Sequence, residues 1–284
     1  MPGVDRLIAS CLLKALWSGV EFPGRWRAHR WCMQHVALFG DRPARHIKMS
    51  EFDFLVEPRP NFDIYLTGIT RNTPVERFIR AYVKQGASTL DIGANLGWTT
   101  RLMSALVGTK GHVHAFEPIP SAYANLLVNI AAAPCKNITP HPVAVADYCG
   151  KLELFLASGD VTALATVRAP GAGETATSHT VNVITIDSLL NEVSHVDFVK
   201  VDVEGAEYKV LLGMQALIAR DHPILTIELS DAWLAKVGSS ARELIHFLTE
   251  RGYAISWLDG DRIVPLTSVP AEQVDVVCVP AARS

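Results

Sequence analysis

Two stretches of the sequence gather side chains that can do chemistry. The first is Lys200-Val-Asp-Val-Glu-Gly-Ala-Glu207, at the end of the most apolar strand-like run, residues 196–203. Lys200 and Asp202 are two positions apart and so share one face of such a strand. Asp202 falls at its carboxyl end, where open α/β sheets hold their ligands. Glu204 and Glu207 follow on the next turn, and Glu228 closes the next apolar strand on the same edge. Carboxylates gathered beside one lysine are costly to bury unless they are paired or put to use. Asp202 is therefore the candidate base for a hydroxyl nucleophile, with Lys200 orienting it and Glu228 as a further catalytic candidate. The competing reading is an internal ion pair that fixes strand to helix. Glu207 reads equally as a helix-start cap. Asp202, Glu204 and Glu228 offer oxygen ligands of the kind magnesium or calcium takes, but no histidine or asparagine stands ready to complete the set, so the favoured reading has no metal there. His141 and His179 are secondary candidates for the base, and His114 reads as a satisfied strand residue.

The second stretch is Ser88-Thr-Leu-Asp-Ile-Gly-Ala-Asn-Leu-Gly97 with Trp98. It reads as strand, tight loop and helix start. Gly93 can take positive φ, and Gly97 opens a helix whose free N–H groups favour an anion. Asp91 ends the strand, where its carboxylate can meet an amine or hydroxyl, so the loop suits a zwitterionic amino-acid tail. After it, His112–Phe116 leads into Glu117 and Pro118. An acidic residue ending the second strand of such a unit binds both hydroxyls of a ribose. Asn95 stands where G-x-G-x-x-G needs its second glycine, which favours S-adenosylmethionine over NAD.

These stretches resemble the FkbM-type family of S-adenosylmethionine-dependent methyltransferases. The likeness is carried by Leu90-Asp-Ile-Gly-Ala-Asn-Leu-Gly-Trp-Thr-Thr, Ala115-Phe-Glu-Pro, Asn125-Leu, Asn129-Ile, Ala144-Val-Ala-Asp, Ile184-Thr-Ile-Asp-Ser-Leu, Phe198-Val-Lys-Val-Asp-Val-Glu-Gly-Ala-Glu and Ile227-Glu-Leu. It runs from about residue 65 to residue 257. The resemblance implies a class I, Rossmann-like fold, S-adenosyl-L-methionine as cofactor, and O-methylation of a hydroxyl on a glycan, glycolipid or polyketide. Residues and resemblance together give an expected cofactor set of Asp91, Gly93, Ala94, Asn95, Gly97, Trp98, Glu117, Pro118, Ala146 and Asp202. Two other readings stay open: an NAD-dependent oxidoreductase, and a catalytically silent binding module in glycan assembly.

The elements that must position these residues follow from the pattern of the chain. Strands are expected near 88–92, 112–117, 138–146, 196–202, 223–229, 253–258 and 274–279, and helices near 97–107, 119–132, 187–192, 205–219 and 239–251. Such alternation gives a seven-stranded, mostly parallel sheet covered on both faces, with a hairpin of residues 253–257 and 274–279 as its antiparallel edge. Thr73-Pro-Val-Glu reads as a capping box that starts a helix, although Glu76 could instead reach a ligand. Residues 52–56 and 63–66 read as a hairpin, and 151–157 with 180–186 as an extra pair enclosing a mobile loop at 158–179.

The chain has 284 residues, of which 49% are hydrophobic and 19% charged. That is enough for one large domain, residues 51–284, with a basic helical extension over residues 1–50. The net charge of −3 points to no nucleic-acid partner. Residues 1–48 carry +5 and three tryptophans, which suits either a peripheral membrane contact or a solvated helical extension. Residues 7–20 read as an amphipathic helix rather than a signal peptide. Five scattered cysteines without C-x-x-C spacing argue against zinc and disulfides and for a cytoplasmic setting. The acceptor is expected to be a small molecule or a glycan, and the pattern says nothing of oligomeric state.

Overall fold

The computed structural model of the protein describes residues 2–17, 25–34, 45–48, 53–56, 73–157, 165–166 and 176–281. In chain order these form α1 (Pro2–Trp17), α2 (Arg25–Gln34), β1 (Arg45–Lys48), β2 (Asp53–Val56), α3 (Pro74–Tyr82), β3 (Ser88–Ile92), α4 (Trp98–Val107), β4 (His112–Phe116) and α5 (Pro120–Ala131). There follow β5 (Ile138–His141), β6 (Val143–Val145), β7 (Gly150–Ala157), β8 (Ala165–Thr166), β9 (Ala176–Ile184), β10 (Phe198–Val201), α6 (Glu207–Leu212) and α7 (Gln215–Asp221). The chain continues through β11 (Ile224–Leu229), α8 (Asp231–Lys236), α9 (Ala241–Thr249), β12 (Tyr253–Asp259), β13 (Arg262–Pro265) and β14 (Val274–Pro280). Among the described residues no helix is long and apolar enough to cross a membrane.

The main sheet has the strand order β13-β12-β14-β11-β10-β3-β4-β5. β5, β4, β3, β10 and β11 pair in parallel, and β14 runs antiparallel to both β11 and β12. One antiparallel strand inserted beside the fifth parallel strand is the order of a Rossmann-like class I methyltransferase sheet. The expected antiparallel pair of β12 and β14 is present beside β11, and the expectation of seven strands is corrected in one detail: an eighth strand, β13, forms the edge by a hairpin with β12.

Alternating strand residues feed two apolar layers. Leu90, Ile92, Val199 and Val201 pack on one side with Val210, Leu217 and Leu244 of α6, α7 and α9. Phe198 and Val113 pack on the other with Phe78 and Ile79 of α3 and Leu102 and Met103 of α4. α3 starts as its sequence requires: Thr73 accepts from the Glu76 N–H at 3.2 Å, Glu76 Oε2 accepts from the Thr73 N–H at 3.1 Å, and Pro74 opens the helix.

Other boundaries moved for identifiable reasons. The single strand expected at 138–146 divides at Pro142, which has no N–H to give a ladder. β5 stays in the main sheet, and β6 joins β9, β7 and β8 in a second sheet. That sheet packs Leu154 and Val181 against Ala122 of α5 and Ile119 just before it, so it stands over the carboxyl edge of the main sheet. The helix expected over 205–219 breaks at Gly213, where a Cβ would sit 1.9 Å from the Ala146 carbonyl oxygen. β9 begins at Ala176, earlier than expected, so His179 lies in a strand. Most of the expected loop, 158–164 and 167–175, lies outside the described residues, as does 63–66.

β2 pairs with β1, so this ladder crosses residue 50. The ladder reaches the site through α5. Asn129 holds the backbone of Leu55 on both sides, accepting from its N–H at 2.8 Å and donating to its carbonyl at 3.0 Å, and also donates to the Leu96 carbonyl at 3.1 Å. Phe54 then meets Trp98 edge to face, 5.5 Å between ring centres. Asn129→Ala removes all three bonds from a buried position and is expected to cost roughly 2–4 kcal/mol in denaturant unfolding. A loss under about 0.5 kcal/mol would show that the tie carries no weight.

Candidate active site

A cavity of about 690 Å³ opens over the carboxyl ends of β3, β4, β10 and β11, with the second sheet as one wall. That volume falls in the range of small-molecule and cofactor sites. Of the expected cofactor set, Gly93, Ala94, Asn95, Trp98, Glu117, Pro118, Ala146 and Asp202 line it; Asp91 and Gly97 do not. His141 and His179 are also absent from the wall. His141 instead stacks on Phe116 and shares a hydrogen bond with His114 at 3.1 Å.

The loop after β3 is shaped by close contacts. Gly93 has φ +83°, and a Cβ there would sit 1.7 Å from the Asp202 carbonyl oxygen, so only glycine lets this loop lie against the end of β10. Asn95 (φ +48°) and Glu204 (φ +55°) also hold left-handed backbone. Such strain gathers where a site over-determines the chain.

Asp91 is fully enclosed beneath this loop. Its Oδ2 accepts from the hydroxyls of Thr99 at 2.8 Å and Thr100 at 2.5 Å. Its Oδ1 faces Lys200 Nζ at 3.6 Å and has no hydrogen-bond partner. Lys200, also buried, donates to the Gly93 carbonyl at 2.9 Å and pairs with Asp202 Oδ2 at 3.1 Å. Burial acts to lower the lysine's pKa, but Asp202 and Asp91 outweigh it, so the net shift is upward and the charge is held. Lys200 and Asp202 thus share one face, as their spacing implied.

Glu117, 4% exposed, sits on the opposite flank. Its Oε2 accepts from the Asn95 N–H at 2.9 Å and its Oε1 from the Ile119 N–H at 2.8 Å. Burial pushes its pKa up to about 7 against these two bonds. Each oxygen keeps a lone pair, which suits a vicinal diol.

At the other end the acids converge. One carboxylate oxygen each from Asp202, Glu204 and Glu228 lies within 4.8 Å of the others, an arrangement that could hold a cation. Asp275 stands opposite Glu228 in the β11–β14 ladder and lines the same wall. Glu228 accepts from the Gln273 amide. Burial, then the charge of Asp202, push Glu228 to about 8, Glu204 to about 7 and Asp275 to about 6. Glu207 is a loop clamp, its Oε1 accepting from the N–H groups of Val203 at 3.1 Å and Gly205 at 3.0 Å. Sequence reasoning missed Asp275, and also Tyr148 and Lys209 on the wall.

Residues 91–255 match the model of the methyltransferase FkbM domain, more than half of the chain. The chain belongs to the FkbM methyltransferase family. It is 34% identical over 129 residues to the hexuronic acid methyltransferase AglP of Haloferax volcanii, covering 44% of this chain and 48% of that one. The chain thus spans about half the length of the curated relative it matches. Among solved structures it is similar to an FkbM methyltransferase from Methylobacillus flagellatus, with 13% identity, 97% of this chain, 60% of that chain and TM-score 0.45. It is also similar to Aeropyrum pernix fibrillarin with bound S-adenosyl-L-methionine, with 15% identity, 84% of this chain, 83% of that chain and TM-score 0.45.

The acid cluster sets a pH dependence of stability. A carboxyl whose folded pKa is raised binds its proton more tightly in the native state, so its contribution is fully present below the unfolded value, near 4.5 for glutamate, and is lost as pH rises through the folded value. The ligand-free protein is expected to melt lower as pH climbs from about 5.5 to about 8.5, across the raised pKa values of Asp275, Glu204 and Glu228. Glu228→Gln should flatten that fall and raise the melting temperature at the alkaline end by about 3 °C or more. Parallel melting curves for the two proteins would contradict the assignment.

Proposed function

We propose that the protein transfers the methyl group of S-adenosyl-L-methionine to a hydroxyl oxygen of a sugar in a glycan or glycolipid. The observation that carries this reading is one cavity with a diol-binding carboxylate, Glu117, on one flank and the Asp202–Glu204–Glu228 cluster on the other. Between them the Gly93–Gly97 loop supplies close backbone approach. The residues fit the cofactor: its ribose diol suits Glu117, and its positive charges suit an acidic wall. When bound, the cofactor supplies a methyl group on a positively charged sulfur.

This chain's residues then have three tasks. Glu117 and the loop fix the ribose, and Trp98 and Ala146 close the wall around the cofactor. Ile92, Val201, Val203 and Phe116 give the cavity an apolar floor that keeps water from the transfer. Asp202, held by Lys200 and 39% exposed at its side chain, takes the proton from the acceptor hydroxyl as the new bond forms. Glu228 and Glu204 crowd Asp202 with like charge, which raises the proton affinity of the cluster as a unit. Ala144 of β6, Tyr148 of the connection to β7 and Lys209 of α6 form the side on which an acceptor would lie. The name of the Haloferax volcanii relative makes uronic-acid-bearing oligosaccharides the first acceptors to assay. We also propose that residues 51–284 form the catalytic domain and that the basic residues 1–50 contribute to acceptor or surface contact.

A second reading follows from the cluster itself. Three converging carboxylates suit magnesium or calcium, which would orient the acceptor oxygen. Asp202→Asn separates the two. If Asp202 is the base, the variant keeps S-adenosylhomocysteine affinity within a few-fold and loses about a hundredfold or more in single-turnover transfer of labelled methyl to an envelope-glycan extract. Wild-type transfer is then indifferent to chelator. Loss of wild-type transfer on chelation, restored by magnesium, would establish the metal instead. Near-normal transfer by Asp202→Asn would remove Asp202 from the chemistry.

A further inference from the structure

Glu76 has a feature that its helix cap does not explain. It is 2% exposed, on the first turn of α3. Its Oε2 is used by the Thr73 N–H. Its Oε1 is buried and has no hydrogen-bond partner, and the residue lines the cavity beside Thr73, Val75, Trp98 and Thr99. An enclosed carboxylate oxygen with no donor is costly, by an amount that a cation or donor entering the cavity would recover.

The sequence pattern gives the amine-binding task to Asp91, at the end of β3. The structure turns Asp91 inward: it is off the cavity wall, both threonine hydroxyls occupy one oxygen, and Lys200 faces the other. Its charge is already balanced. Among the described residues, Glu76 is therefore the carboxylate on this flank that borders the space with one oxygen, Oε1, still without a partner.

The order of groups along the sheet edge says what it would meet. Glu117, at the end of β4, takes the ribose side, and Asp202, after β10, takes the acceptor side. The Gly93–Gly97 loop lies between them, and Trp98 and Thr99 lead from it to Glu76. The part of the cofactor remaining for that corner is its amino-acid tail, whose ammonium donates three hydrogen bonds.

We propose that Glu76 is the anchor for the α-ammonium of the cofactor's methionine moiety, and that Asp91 serves as a positioning residue beneath the loop. This rests on the cofactor reading above. One oxygen of Glu76 then caps α3 and the other holds the ligand.

The test is calorimetric titration with two probes, S-adenosylhomocysteine and 5′-S-(3-carboxypropyl)-5′-thioadenosine, which keeps the carboxylate but lacks the ammonium. Wild type should bind the second about tenfold or more weakly. Glu76→Gln keeps an oxygen for the Thr73 N–H and so preserves the cap, but it presents an amide in place of the anion. It should melt within about 2 °C of wild type and bind the two probes alike, at the weaker affinity. Thr73→Ala should do the reverse, with a lower melting temperature and unchanged discrimination. Wild type binding both probes equally would overturn the proposal however the variants fold, and so would Glu76→Gln retaining full discrimination. Wild type binding neither probe would overturn the cofactor reading as well.

Discussion

One buried cation holds the site together. Lys200 reaches from the middle of β10 to the Asp91 carboxylate, the Gly93 carbonyl and the Asp202 carboxylate, within 3.6, 2.9 and 3.1 Å. The three partners belong to the first strand, the loop after it and the exit of the central strand. A lysine in that place is stable because two carboxylates face it, and Asp91 is stable without solvent because the lysine faces one oxygen and two threonine hydroxyls donate to the other. Neither can be changed alone at low cost. The loop needs glycine for the same closeness: Lys200 holds both the Gly93 carbonyl and Asp202, and a Cβ on Gly93 would sit 1.7 Å from the Asp202 carbonyl oxygen.

The rest of the site follows from where that charge is spent. Lys200 neutralises Asp91 and steadies Asp202, but it is one cation among many acids. Glu204, Glu228 and Asp275 are left to crowd one another, which is why burial and like charge raise all three. A wall of this kind repels anions and attracts a ligand that brings positive charge, or a neutral hydroxyl ready to give up a proton. Glu117 is raised too, for a different reason: it is buried, and two backbone N–H groups oppose the shift only in part. The two flanks are thus raised by different means, Glu117 by burial against two backbone N–H bonds and the cluster by burial together with like charge.

Much of this was legible in the sequence, because it depends on local spacing. Thr73-Pro-Val-Glu specified its own helix start, Lys200 and Asp202 shared a face as period two demands, and Glu117 closed its strand beside the loop. What was not legible depends on register and on distant approach. Asp275 enters the cluster only because antiparallel β14 inserts next to β11 and sets it opposite Glu228. The break in the helix after β10 follows from the nearness of Gly213 to Ala146, 67 positions earlier in the chain. Asp91 turned away from the cavity because Thr99 and Thr100 project back from the first turn of α4, a direction that the motif alone does not reveal. Pro142 was the one missed signal readable in advance: a proline in an expected strand should have divided it.

The most direct test of the account is Lys200→Met, measured for unfolding free energy and for S-adenosylhomocysteine affinity in one preparation. Methionine fills the same space without the charge. If the lysine joins loop, strand and acid cluster as described, the variant loses about 3–5 kcal/mol of stability and binds the ligand at least tenfold more weakly in its folded fraction. A variant that folds with wild-type stability and binds the ligand normally would contradict it, and Lys200 would then be an incidental ion pair beside a site assembled by other means.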